Sequence, residues 1–233
     1  MRDLEAGGSE MATVSRYLVE RTPDQVRTAF QGIVDICALK GISRVTLVVP
    51  QKGGWERTIL AEFLGEARAK ALLKGQAIPV INGVTMILES AQTFQGNASQ
   101  GLVVGAHISD KAMAKIDDSW DAQAILYMPW VPAEGQAWQA IWKPETIGPS
   151  TSAPPPDRLS PKVVAALERL SRHINLGTGL SHPSDKAHAV RVIANLRAEG
   201  HSFDPAEIKR WALRHAWSSG AAAELEAVAR KAR

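Results

Sequence analysis

The chain has 233 residues, 45% of them hydrophobic, and a formal net charge of +3 at pH 7, which is enough for one domain of ordinary size and a smaller one. Its longest apolar runs, such as residues 45–50 and 122–129, are strand-length and fall far short of the roughly 20 residues of a membrane helix, which excludes a transmembrane span. A single cysteine, Cys37, excludes an internal disulfide; set among Ile33, Val34 and Ile36, it reads as a buried, inert thiol.

Residues 1–13 hold Arg2, Asp3, Glu5 and Glu10 around Gly7 and Gly8, with no apolar stretch, so they read as a flexible leader and not as a secretory signal. The expected location is cytoplasmic. A helix start follows at Thr22-Pro23-Asp24, with Thr as cap, Pro in the first position and Asp at the positive helix end. Val26, Phe30, Ile33, Val34 and Cys37 then recur at helical spacing until Gly41. Arg44–Val49 is apolar without strict alternation, as a strand buried on both faces requires. Residues 55–74 return to the helical period through Ile59, Leu60, Phe63, Leu64, Ala67, Ala71 and Leu72.

Asn82-Gly83 between two β-rich runs predicts a two-residue hairpin turn, and Pro79 places the first of these strands at a sheet edge. Two more buried-type strands are expected at Gly101–Ala106 and Ala122–Met128, separated by a helix that Ser109 caps. Pro132 and Glu134 open the next helix, which carries Trp138 and Trp142. This alternation predicts an α/β fold over 14–148, a Rossmann-like mainly parallel sheet with an antiparallel hairpin edge, followed by a small all-α helical domain. Residues 149–161, with Pro154-Pro155-Pro156, read as a semi-rigid Pro/Ser-rich linker.

A basic helical domain is expected over 162–233. Val163, Val164, Leu167, Leu170 and Ile174 share one face, and a second helix runs from about Ser184 to Glu199. Asp204-Pro205-Ala206-Glu207 combines a cap, a first-position proline and a capping-box glutamate. Ile208, Trp211 and Ala212 face inward from this third helix, and Ser219 begins a fourth. Residues 1–156 carry 14 basic and 16 acidic side chains, whereas residues 157–233 carry 13 and 8. That split points to an anionic partner for the helical part.

Ligands of an open parallel sheet bind beyond the carboxyl ends of its strands. The first buried strand ends in a loop with Lys52, Gly53 and Gly54, and its backbone amides, with Arg57 near, suit a phosphate, although neither the Walker pattern nor G-x-G-x-x-G is present. The next strand ends at His107, a candidate acid or base that Asp110 would orient. Trp130 ends the last. Asp117, Asp118 and Asp121 read as a solvated turn, and the histidines lack metal-ligand spacing, so no metal and no cofactor are expected. Trp138 and Trp142, four apart on one helical face, read first as core, and with Trp130 as a docking surface for another protein or for the C-terminal helices. Lys209, Arg210 and Arg214, with Arg191 on the preceding helix, form the basic face on which a nucleic-acid or other acidic partner is expected.

The functional expectation is a non-enzymatic binding or adaptor protein: the α/β part engages a protein or small ligand, and the helical part engages an acidic partner, nucleic acid among them. The rival class is a nucleotide- or phosphometabolite-binding enzyme or sensor working at the sheet edge through Lys52, Arg57, His107 and Asp110.

Overall fold

A computed structural model describes residues 14–81, 83–96, 101–119, 121–150, 158–176 and 178–232. The leader, most of the linker and Asn82 of the hairpin turn lie outside the described residues. Seven strands run in chain order as β1 (Ser15–Leu18), β2 (Arg44–Val49), β3 (Ile78–Ile81), β4 (Val84–Ser90), β5 (Gly101–Ala106), β6 (Ala122–Met128) and β7 (Glu145–Thr146). Helices α1 (Gln25–Lys40), α2 (Ile59–Leu64), α3 (Glu66–Leu73), α4 (Asp110–Asp117) and α5 (Pro132–Trp142) are interleaved with them. Four helices follow: α6 (Pro161–His173), α7 (Pro183–Ala198), α8 (Pro205–Arg214) and α9 (Ser219–Lys231).

The strands form one sheet in the order β3-β4-β2-β5-β6-β1-β7. Every described pair is parallel except β3 with β4. Pro79 lacks an N–H and sits on the outermost strand, where the missing donor costs no ladder bond. Ile81 pairs with Val84 across the turn, and Gly83 supplies the left-handed φ of +77°. The connection leaving β2 runs toward the β3 edge and the one leaving β5 runs the other way, so their carboxyl ends flank a topological switch point.

Period-two alternation divides the sheet residues between two cores. Leu102, Val104, Leu126 and Met128 pack on the side that holds Phe30, Ile33 and Leu60, while Val103, Ile125 and Tyr127 pack with Met113, Ile116 and Trp138. Gly101 is required by close approach: a Cβ there would run into the backbone carbonyl of Arg44 on the neighbouring strand. Burial pushes the Cys37 thiol up to about 11, which keeps it unreactive.

Four local features differ from the sequence reading. Residues 55–74 are not one helix: a 3₁₀ turn at Trp55–Arg57 precedes α2, and Gly65, at φ +85°, separates α2 from α3. The break lets Trp55 bury itself and donate its indole N–H to Ala69 O at 3.1 Å. The first helix begins at Gln25 with Asp24 as its cap residue, because Thr22 is spent on a turn in which Gln25 N donates to Thr22 O at 3.2 Å. Glu207 does not complete the capping box; its carboxylate pairs with Arg210 at 3.5 Å, and Asp204 alone caps α8. β1 and β7 extend the sheet beyond the expected strands.

The C-terminal helices enclose their own core, in which Leu167, Leu170, Ile193, Ile208 and Leu225 are buried around Trp211. Ile141 and Trp142 of α5 pack against that core. Asp118, at the end of α4, accepts from Ser219 N at 2.9 Å and from Ser219 Oγ at 2.6 Å. The helical region is thus joined to the sheet by apolar packing and by a carboxylate at the start of α9.

Candidate functional site

Three strand ends meet where β1, β5 and β6 finish, and a buried glutamine holds them together. Gln25 is fully buried. Its Nε2 donates to Val19 O at 3.1 Å and to Pro129 O at 2.9 Å, which fixes the amide orientation and leaves Oε1 as the acceptor. Oε1 accepts from Arg21 Nη1 at 3.1 Å and lies 3.4 Å from His107 Nε2, which makes Nε2 the protonated ring nitrogen. His107 has φ +55°, a conformation that non-glycine residues rarely adopt, and its backbone N–H donates to Met128 O at 2.8 Å.

Over this frame stands Trp130, which is 50% exposed. The His107 ring meets it edge-on at 4.8 Å, and the Arg21 guanidinium lies 4.7 Å from its ring centre. Burial, with Arg21 adding to it, pulls the His107 pKa down to about 4, so the imidazole is neutral near pH 7. A neutral ring held by an amide positions an aromatic neighbour. It is a poor proton donor or acceptor for chemistry at that pH.

The other residues expected at this edge face different neighbours. Lys52 lies 3.8 Å from Glu89. Gly53 leads into Gly54, whose φ of +78° opens the 3₁₀ turn, and Arg57 lines a surface groove with Glu56, Glu62 and Glu66. Asp110 does not orient His107. It sits in the first turn of α4, where burial and Glu134 raise its pKa against the opposing pull of Lys209. Among the described residues no group of three or more His, Cys, Asp or Glu is placed to hold a metal ion.

Asp117 is not part of a solvated turn. Its side chain is 7% exposed. Oδ2 accepts from the indole N–H groups of Trp138 at 2.9 Å and Trp142 at 3.0 Å, and Oδ1 lies 3.3 Å from Arg16 Nε. The Arg16 guanidinium also covers the Trp142 ring at 3.5 Å. Burial lifts the Asp117 carboxyl to about 6 although Arg16 and the two indoles pull the other way. Trp138 and Trp142 are therefore taken up by the chain's own packing, Trp142 against the C-terminal helices, and only Trp130 of the three presents an open face.

The basic residues of the helical region do not share one face. Lys209 pairs with Glu226 at 3.4 Å, and Arg191 is exposed on α7. Arg210 and Arg214, one turn apart on α8, line a groove of ≈ 230 Å³ with Arg158, Glu207, Trp211 and His215, and Arg214 Nε donates to Arg210 O at 3.3 Å. His215 is exposed, stacks on Trp211 at 4.0 Å, and places Nδ1 2.7 Å from Trp211 O. Trp211 Nε1 is buried and has no acceptor among the described residues.

Sequence reasoning missed Arg21, Gln25, Arg16 and Arg158. A glutamine in the first turn of an amphipathic helix carries no mark of burial, and Arg158 follows a proline run that reads only as linker.

The chain is thus a mostly parallel α/β sheet protein with an appended helical region. Residues 159–233, which span α6 to α9 and include Glu207, Arg210, Trp211, Arg214 and His215, match DUF1889, a family described as a domain of unknown function. No curated protein and no solved structure matches the chain. Among the described residues no helix is long and apolar enough to cross a membrane.

Proposed function

We propose that the chain is a non-enzymatic binding protein of the cytoplasm in which the helical region engages an acidic partner, nucleic acid first among them. The observation that carries this reading is that Arg158, Arg210 and Arg214 line one groove, a local excess of positive charge of which Glu207 offsets a part. The sheet contributes a second contact through Trp130, a large, half-exposed ring preset by Arg21 and His107, the kind of anchor that dominates binding energy at interfaces.

A gel-shift series with single-stranded and duplex oligonucleotides at rising salt tests the reading. Binding at low salt that weakens steeply as salt increases is the expected result. No shift at 50 mM salt on either substrate removes nucleic acid as the partner. The rival enzyme or sensor reading has less behind it: Lys52 lies beside Glu89, His107 beside Gln25, and Arg57 lines a groove with neither of them.

A further inference from the structure

We propose that His173 and His188 form a two-imidazole site for a divalent transition-metal ion of the zinc, copper and nickel class, one that clips α6 to α7. The proposal is independent of which partner the helical region engages. His173 is exposed in the last turn of α6, and His188 is half-buried on α7. Both line a groove of ≈ 260 Å³ with Arg169, Val192, Asn195 and Glu199. The packing of α6 on α7 brings the two rings together, which no sequence spacing reveals. Their centres are 5.8 Å apart.

A single ion spans that separation. With a metal–nitrogen bond of about 2.0–2.1 Å and a ring nitrogen about 1.2 Å from its ring centre, two imidazoles on one ion have centres about 5.3 Å apart at a tetrahedral angle and about 6.5 Å apart when opposite. The observed 5.8 Å lies between these limits.

The tautomer of His173 is already set for ligation. Its Nδ1 lies 2.7 Å from the Arg169 carbonyl oxygen, which can only accept, so Nδ1 carries the proton and Nε2 keeps its lone pair. Metal-bound histidines show this arrangement, in which the second ring nitrogen donates to a carbonyl that orients the ring and raises its basicity. His173 Nε2 and both ring nitrogens of His188 have no hydrogen-bond partner among the described residues.

Two protein ligands leave the remaining coordination positions to water, and make a weaker site than the three or four ligands of a catalytic or structural zinc. Of the charged groups in the groove, Arg169 opposes a cation and Glu199, which also lies 3.6 Å from His201, favours one. Imidazole nitrogen suits zinc, copper and nickel, with copper the tightest at a given site. Magnesium and calcium take oxygen ligands and do not fit.

The test is calorimetric titration of the untagged full chain with CuCl2 and ZnCl2, together with electron paramagnetic resonance of the copper form. One copper per chain is expected to bind with a Kd below about 100 μM, to show nitrogen couplings from two imidazoles, and to be displaced by excess zinc. His173→Gln and His188→Gln should each weaken binding at least about tenfold, no less than the loss of an outer-shell partner costs a metal site. His182→Gln and His201→Gln should leave it unchanged. Paramagnetic broadening of the wild-type amide signals locates the ion without any variant, and is expected first at residues 169–173 and 188–192. Copper affinity weaker than about 100 μM, affinity that survives His173→Gln and His188→Gln together, or broadening centred on another histidine overturns the inference.

Discussion

His107 shows how one backbone conformation and one buried amide set a side chain's chemistry. Its left-handed φ turns the ring toward Gln25 and Trp130, and the carbonyls of Val19 and Pro129 decide which end of the Gln25 amide meets it. The folded-state pKa of about 4 lies below the ordinary 6.5, so the unfolded chain takes up the proton first as pH falls. Stability is therefore lost as pH drops from 6.5 toward 4 and is not lost further below that range. Relative to His107→Gln, wild type should weaken across that window in urea unfolding at pH 7.5, 6 and 5, and its imidazole should titrate near 4 by NMR. A midpoint near 6.5 would show that the ring is solvated and that Trp130 has no fixed support.

Among the elements, α4, α5 and β1 are held together by Asp117. One carboxylate serves Arg16 from β1 and both indoles from α5, so its removal leaves two indole N–H groups without their acceptor and strips a buried guanidinium of its counter-ion, leaving it the Val14 carbonyl at 3.2 Å. Asp117→Ala should cost about 3–5 kcal/mol, and Asp117→Asn less, because the amide oxygen still accepts from the indoles. Equilibrium unfolding in urea measures both; a loss below about 1 kcal/mol for the alanine variant would mean that water replaces the carboxylate freely. This junction was not legible in the sequence, where Asp117-Asp118 looks like surface charge, since its donors lie 21, 25 and 101 residues away. By contrast Arg44–Val49, Gly101–Ala106 and Ala122–Met128 were readable to the residue, because strands covered by helices on both faces must be continuously apolar. β1 and β7, of four and two residues, are too short to carry a pattern, and the break at Gly65 hides inside an apolar stripe that continues across it.

For the molecule as a whole, the uneven charge of the two parts was visible in composition, but where that charge gathers was not. Residues 209 to 214 read as one basic helix face, yet Lys209 is paired away to α9, and the groove draws its third arginine from the segment before α6. Trp130 and His107 were placed at the sheet edge by strand ends alone, while Gln25, which holds them, gave no sign of itself. The sheet and the helical region share packing through α5 and the Asp118–Ser219 contact, so a partner on the helices is held at a fixed place relative to the sheet.

The most direct measurement is an amide NMR or hydrogen-exchange footprint of the full chain with a saturating single-stranded oligonucleotide at low salt. Perturbation is expected to concentrate at residues 158–164 and 207–215 and to fade as salt is raised. Perturbation confined to the loop around Lys52 or to α2 and α3, or none at all, would contradict it.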